Sequence, residues 1–403
     1  MASKLLLISQ VFYPDEVSTA NLFTNLSSVL VREGVDVQVW CAHPSYTHLH
    51  KQPRTLVYNG VNILYLPSTN FKKTNLAGRI TNYITFTFSV ILKLLISREN
   101  VPVFTHTTPP SLGIILAILC SLKKRKFAYI LLDIFPEGLI RLGNVTESNI
   151  LIKIWQNLFT YSLKKSYKII VIGRDMMKWL GELDNDFLQK TEYIPMWQDD
   201  ELICPEEYTF NPYVIKNHLQ DKFLVQYSGN MGLWNDMKVI GKAVSRNTEG
   251  VSYMFVGGGM RKKELLECFI NDEQKNVIML SFQPTEKFNK IITACHVGLV
   301  SLRAGLEGMA VPSKIYGIMA AGIPIVAIVP EKSEIGYIIN EENCGITVIP
   351  GDTDGLINAI LLLKSDDELR NKLGQNGRNA FLKKYTTSKI AFRYKLMLDK
   401  FCH

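Results

Sequence analysis

The sequence predicts an α/β fold made of two doubly wound sheets in tandem. Three observations carry this expectation. Short runs rich in Val and Ile alternate with helix-length patterns from end to end, as in parallel strands covered on both faces. The 403 residues are too many for one compact core and suit two domains of roughly 200 residues. The alternation breaks once, at 192–200 (EYIPMWQDD), and a polar, irregular stretch at 204–212 precedes a second series.

In the first series, apolar runs predict strands at 4–9, 36–41, 61–65, 102–105, 127–132 and 168–172. The stretches between them carry helical periodicity at 19–32, 76–96, 111–121, 150–165 and 175–182. The second series predicts strands at 223–228, 252–256, 277–280, 297–301, 324–328 and 345–348. Its helices are expected at 236–247, 261–269, 286–294, 313–321, 335–340, 353–363 and 369–384. The last stretch, 388–401, reads as one more amphipathic helix that can cross back to the first domain.

Composition bounds the function. A hydrophobic fraction of 47% with mean hydropathy +0.07 excludes a disordered chain, and 20% charged residues exclude an all-membrane bundle. The net charge of +8 lies entirely in residues 1–197, which hold 21 Lys and Arg against 13 Asp and Glu. That asymmetry asks for an anionic partner on the first half. Seven cysteines (Cys41, Cys120, Cys204, Cys268, Cys295, Cys344, Cys402) are far apart, with no C-x-x-C pair and no zinc-like His spacing. They read as thiols of a reducing cytoplasm. The opening MASKLLLIS lacks the ~7–15 apolar residues of a secretory leader and reads as a first strand, so a cytoplasmic protein is expected.

Two apolar stretches bear on membranes. Residues 80–96 are interrupted by Asn82, three Thr and Lys93, and residues 112–122 are short. Neither meets the ~20 mostly apolar residues of a spanning helix. Both are expected as buried or half-buried helices. Cations flank them at Lys72, Lys73, Arg79 and Lys123–Lys126, so contact with an anionic membrane surface is an expectation.

In open α/β sheets, ligands bind beyond the carboxyl ends of strands, where a turn feeds a helix. The turn after the first strand, QVFYPDEVST (10–19), offers Asp15, Glu16 and Ser18 but no G-x-G-x-x-G, which argues against a dinucleotide-binding dehydrogenase. After the first strand of the second series comes Tyr227-Ser228-Gly229-Asn230-Met231-Gly232. Its glycines permit N–H groups to cradle a phosphate, or simply an ordinary strand-to-helix turn. Gly257-Gly258-Gly259 precedes Arg261, Lys262 and Lys263, cations that suit a solvated helix start better than a ligand.

The most specific segment is LRAGLEGMAVPSKIYGIMAAGIPIVA, 302–327. It leaves a buried strand, opens a helix at Pro312–Ser313 and closes it with Gly322. Ser313 suits a helix N-cap or a phosphate ligand. Lys314 stands in a first helical turn, where the helix dipole disfavours a cation unless an anion is near. Glu307, in the loop without an obvious apolar duty, suits accepting hydrogen bonds from hydroxyls.

This segment resembles the donor-binding signature of the GT-B-fold glycosyltransferases of family 4, closest to the bacterial O-antigen, capsule and colanic-acid branch (WbuB/WcaI-like). Glu307-Gly308-Met309-Ala310-Val311-Pro312 is similar to the start of that signature, and Met319-Ala320-Ala321-Gly322-Ile323-Pro324-Ile325 to its end. Thr107–Pro110, Asp133–Glu137, Ile194–Trp197, Tyr227–Leu233 and Gly351-Asp352 extend the similarity over essentially the whole chain.

The resemblance implies two Rossmann-like domains facing a cleft: an acceptor-binding domain at 1–197 and a nucleotide-sugar-binding domain at 198–387, with the helix at 388–403 packing back on the first. It implies retaining transfer of a hexose or aminohexose from a UDP- or GDP-sugar to a lipid-diphosphate-linked saccharide. The site would be peripheral on the cytoplasmic face of the inner membrane, without metal or other cofactor, and no nucleic-acid partner is expected. Glu307, Lys314 and Asp133 would be the catalytic residues, Glu307 holding sugar hydroxyls and Lys314 stabilising the departing diphosphate. Gly229, Asn230, Gly232, Gly257, Arg303, Gly308, Ser313, Lys314 and Tyr316 would bind the donor. Asp15, Glu16, Ser18 and Glu137 would face the acceptor.

Two departures qualify the pattern. The second Glu of the signature is Gly317 here, and the Arg and Lys usual after the first strand of the second domain are missing from 229–236. Lys314, Arg303 and Arg261 are the candidate substitutes. A GT-B nucleotide-sugar 2-epimerase and a non-catalytic GT-B scaffold are the alternative readings, because fold alone does not choose among them.

Overall fold

A computed structural model describes residues 3–45, 52–71, 76–246, 250–269 and 276–401; Lys72, Lys73 and Cys402 lie outside them. The chain divides into Met1–Pro195 with Thr387–His403, and Met196–Thr386. The first unit runs β1 (Lys4–Ile8), α1 (Ser18–Arg32), β2 (Asp36–Ala42), β3 (Thr55–Tyr58), β4 (Val61–Leu66), α2 (Leu76–Ile96), β5 (Val103–His106), α3 (Pro110–Leu122), β6 (Phe127–Leu131), α4 (Glu137–Arg141), α5 (Ile150–Lys165), β7 (Lys168–Val171), α6 (Arg174–Leu183) and β8 (Thr191–Tyr193). Its eight strands lie in the order β3-β4-β2-β1-β5-β6-β7-β8. The central strands are buried along both faces, which is why they read as unbroken apolar runs.

Two strands of this sheet differ from expectation. The edge strand β3 pairs antiparallel with β4 through a two-residue turn, Asn59-Gly60, both at positive φ. That is the hairpin turn whose twist matches the flanking strands. β8 occupies residues expected as irregular and closes the other edge against β7.

The second unit contains α7 (Pro212–Lys216), β9 (Phe223–Ser228), α8 (Met237–Ser245), β10 (Val251–Val256), α9 (Lys262–Leu266), β11 (Val277–Leu280), α10 (Thr285–Ile292), β12 (Val297–Ser301), α11 (Lys314–Ala320), β13 (Ile325–Ile328), α12 (Glu334–Glu342), β14 (Gly345–Val348), α13 (Thr353–Ser365) and α14 (Asp367–Lys384). Its six parallel strands lie in the order β11-β10-β9-β12-β13-β14. Tyr227, Phe255, Leu299 and Val326 from the strands pack with Met237, Ile240, Leu356 and Ile360 from α8 and α13 to form the core of one face.

The last helix, α15 (Thr387–Phe401), belongs to the first unit and packs on α1. Ile390, Tyr394, Met397 and Leu398 form its buried stripe, at the spacing one helix face requires. Lys395 Nζ donates to the Glu33 carbonyl at 2.6 Å, and the Phe401 ring sits 4.8 Å from Tyr167 and 5.4 Å from Phe104.

The basic run after α3, expected to face an anionic surface, is largely committed within the fold. Lys123 Nζ donates to the carbonyls of Leu95 and Ser97 at 2.6 and 2.7 Å, satisfying the open end of α2. Arg125 is buried and donates to the Val101 carbonyl at 2.7 and 3.1 Å. Lys126 donates to the Phe401 carbonyl.

Candidate active site at two sheet switch points

In each sheet the strand order reverses once, between β9 and β12 in the second unit and between β1 and β5 in the first. The crevice outside the carboxyl ends of such strands is where doubly wound folds take their ligands. The residues singled out by sequence gather at these two places.

In the second unit, the loops after β9 and β10 are laced together. The Gly229 N–H donates to Val256 O at 2.8 Å, Met231 N–H to Gly258 O at 2.7 Å, and Arg261 N–H to Met231 O at 3.0 Å. Glycine is obligatory in this lacing. At Gly257, with φ +117°, a Cβ would stand 2.4 Å from Gly229 O; at Gly259, with φ +144°, it would stand 2.4 Å from Met231 O. A side chain at either place would drive the loops apart, and its backbone would be strained as well. Across the switch point, Arg303 N–H donates to Trp234 O at 2.9 Å and Asp236 N–H to Ser301 Oγ at 3.2 Å. The segment holding Glu307 and Gly308 follows β12 directly, with Glu307 half-buried and Gly308 at φ +77°.

Lys314 turns back from the start of α11 onto the β9 loop. Its ammonium lies 3.7 Å from the Tyr227 ring centroid, hydrogen bonds the Tyr227 hydroxyl and approaches Asn230 O at 3.5 Å. The same carbonyl accepts from Tyr227 Oη at 3.1 Å and Asn235 Nδ2 at 3.2 Å. Removal from water pulls the Lys314 pKa down to about 7. Lys314 thus lies beside a glycine-lined backbone. Arg303 is half-buried, and its pKa is lowered first by burial and then by the neighbouring Arg261. Arg261 bonds Glu264 through Nη2, while its buried Nε has no hydrogen-bond partner among the described residues. Three basic residues, Arg261 and Arg303 on loops and Lys314 at the start of α11, thus contact the β9 loop, which lacks the Arg and Lys that the resemblance implies.

Several expected donor residues are placed differently. Ser313 occupies the N-cap position of α11 with helical dihedrals and makes no side-chain cap bond. Tyr316 is fully buried, with its ring 5.1 Å from Tyr385, which follows α14. Gly317 is also interior: a Cβ there would meet Ile292 Cδ1 at 3.1 Å and Ile203 Cδ1 at 3.6 Å. Asn230 and Gly232 lie in the laced loop, with Asn230 Nδ2 2.8 Å from where a Gly232 Cβ would be.

In the first unit, the switch point is bridged by His106 at the end of β5. Its Nδ1 accepts from the Thr108 N–H at 3.2 Å, so Nε2 carries the proton and donates to Ser9 Oγ at 2.8 Å. Ser9 Oγ in turn donates to Val11 O at 2.7 Å. Burial drops the imidazole pKa to about 4, which keeps it neutral, and the ring stacks on Phe23 at 5.0 Å. Nothing in the sequence reading marked His106; its position at a strand end one step before Thr107 was the available signal.

The acidic residues expected here have local partners. Asp15 is buried and accepts from the Ser45 N–H at 3.1 and 3.3 Å, while Glu16 and Ser18 are exposed at the start of α1. Thr107 Oγ1 accepts from the N–H groups of Leu132 and Asp133, both at 3.1 Å, tying the β5 loop to the β6 loop that presents half-buried Asp133. Glu137 opens α4 and accepts from Arg141 at 3.4 Å and Gln156 at 3.5 Å. Among the described residues no three His, Cys, Asp or Glu side chains come together as a metal site.

Comparison with known proteins decides the class. Residues 214–380 match the family model described as "Glycosyl transferases group 1". The chain is a glycosyltransferase, similar over residues 214–380 to those of group 1. This glycosyltransferase is 28% identical over 295 residues to the probable glycosyltransferase WbjE of Pseudomonas aeruginosa, covering 73% of each chain. Its fold is that of Anabaena HepE solved with UDP-glucose, at TM-score 0.75, 15% identity and coverage of 99% of this chain and 100% of that one. It is also that of WaaG, a glycosyltransferase involved in lipopolysaccharide biosynthesis, at TM-score 0.70 and 12% identity over 98% and 99% of the chains. At such identities the two structures speak for the fold alone, which is GT-B.

Proposed function

We propose that this glycosyltransferase moves a sugar, with retention, from a nucleotide-sugar to a lipid-diphosphate-linked saccharide in the building of a bacterial surface polysaccharide. It would work peripherally at the cytoplasmic face of the inner membrane. The observation that carries the reading is the switch point of the second unit, where Lys314 and two arginines surround a glycine-lined backbone in a group 1 domain.

That arrangement suits a nucleoside diphosphate. Charge grows on the leaving diphosphate as the glycosidic bond to it breaks, and fixed cations and N–H groups stabilise it without reorganising. Glu307, on the loop after β12, would hold hydroxyls of the transferred sugar. The first unit would receive the acceptor near Asp15, Glu16, Ser18, Asp133 and Glu137. UDP-sugars are the first donors to try, since HepE, of the same fold, was solved with UDP-glucose.

The test is a panel of UDP-, GDP- and dTDP-sugars with a lipid-diphosphate-linked saccharide. Radiolabel passing from nucleotide to lipid supports the proposal, and an isomerised free nucleotide-sugar overturns it in favour of an epimerase. Glu307→Ala is expected to lower transfer by about 10²–10³-fold with an unchanged circular dichroism spectrum. Full activity of that variant would remove Glu307 from the site.

A further inference from the structure

One face of the first unit exposes far more apolar surface than its neighbours. Right-handed crossovers put α2, α3 and α5 on one side of the sheet, and α3 packs against both of the others. Along α2, Ile80, Ile84, Phe88 and Leu92 recur every four residues and are exposed, Ile84 by 64% and Phe88 by 59%. Ile150, Ile154 and Leu158 form a second exposed stripe along α5, and Leu122 ends α3 exposed by 73%.

By length and composition Ala77–Ile96 is sufficient to cross a bilayer, which the sequence reading did not expect. Its other side, however, belongs to the fold. Phe86, Val90 and Leu94 are fully buried, and buried Asn82 accepts from Thr69 Oγ1 at 2.9 Å and the Phe71 N–H at 3.0 Å while donating to Phe71 O at 2.9 Å. The helix therefore lies flat on the sheet with one apolar face outward.

Charge selects what covers that face. The three helices carry five cations (Arg79, Lys93, Lys153, Lys164 and Lys165) and no Asp or Glu. Two copies of the chain meeting through this face would set like charges together, whereas an anionic lipid surface complements them. An amphipathic helix with cations beside an outward apolar stripe lies in the plane of such an interface, with its apolar face at the headgroup–acyl boundary.

We propose that the α2–α3–α5 face docks on an anionic bilayer, with the stripes of α2 and α5 inserted in the interface. The proposal rests on the membrane location given above and names the surface responsible. It also moves the contact away from Lys123–Lys126, a run whose Lys123, Arg125 and Lys126 side chains hold backbone carbonyls within the unit.

The experiment is co-sedimentation of the full chain with phosphatidylcholine vesicles, with and without phosphatidylglycerol, in the absence of any nucleotide-sugar. Wild type is expected to bind the anionic vesicles more tightly. Ile84→Glu combined with Phe88→Glu is expected to weaken that binding at least tenfold, with an unchanged thermal midpoint because both side chains are exposed. Lys164→Gln with Lys165→Gln is expected to weaken only the phosphatidylglycerol-dependent part. Undiminished vesicle binding by the variant combining Ile84→Glu and Phe88→Glu overturns the proposal. So does a wild-type dimer in ultracentrifugation that these substitutions dissolve, since the face would then belong to a second copy. Vesicle binding without sugar transfer refutes the enzymatic reading and leaves this surface standing. Transfer to a detergent-dispersed acceptor without vesicle binding does the reverse.

Discussion

The two switch points share a topology and differ in chemistry. At the ends of β9 and β10, contact is made by bare backbone: glycines let two loops interlock at 2.7–3.0 Å, and cations reach in from α11 and the neighbouring loops. At the ends of β1, β5 and β6, the loops are held by side chains, with His106, Ser9 and Thr107 acting as struts and carboxylates on the rim. The first arrangement suits an anion, which wants positive charge and close approach to bare backbone. The second suits hydroxyls, which carboxylates can accept from. The two sheets thus present different chemistry because their strand ends, which the sheet does not constrain, carry different residues.

The sharpest way to break this contrast is to add bulk to the interlocked loops. Gly257→Val combines a left-handed backbone with a 2.4 Å approach to Gly229 O. It is expected to cost about 4 kcal/mol or more, read by urea denaturation, and to abolish UDP binding in calorimetry. A stable variant that still binds UDP would show that the interlock is dispensable.

On the other side, the strut is sensitive to acid. The folded pKa of His106 is near 4, below its unfolded value near 6.5. The unfolded chain therefore binds more protons between these pH values, and stability rises with pH across that window. Acidification from pH 6.5 toward 4 is expected to remove about 3 kcal/mol through this residue. His106→Gln should flatten that part of the stability profile, measured by urea denaturation at several pH values. An unaltered slope would show that the strut is not the acid-sensitive element.

The smallest expected effect concerns the cation. Lys314, with a pKa near 7, is mostly neutral at pH 8 in the free protein, and a bound diphosphate favours its charged form. UDP binding at pH 8 is then expected to take up a proton, so that affinity falls as pH rises above 7. Calorimetry in buffers of different ionisation enthalpy measures this uptake. Lys314→Met should abolish the uptake and weaken UDP by roughly tenfold, the worth of one charge-assisted contact. Equal uptake in wild type and variant would assign the proton elsewhere.

Much of this could be read from residue order. The strands of both sheets were visible as Val- and Ile-rich runs because parallel strands are buried on both faces. The segment 302–327 was visible as a strand, loop and helix with glycines at its joints. What was missed has a local cause in each case. The β3–β4 hairpin carried its signal in Asn59-Gly60, but the strand leading into it, β3, alternates exposed and half-buried residues and lacks an apolar run. The burial of Tyr316, close after Lys314, was equally invisible, because a helix turns its side chains about 100° per residue and only the packing shows which of them points inward.

Sequence by itself determined the class of the fold, the glycines of the interlocked loops and the apolar character of α2 and α5, since each depends on residue type and short-range spacing. Tertiary structure decided which charges are available. Lys123, Arg125 and Lys126 looked like a free basic patch and are bound to carbonyls of segments up to 275 positions away. Lys314 looked misplaced at a helix start and rests on Tyr227, 87 positions earlier. Hydrogen-bond partners and desolvation arise from approaches across the fold, and a linear pattern does not contain them.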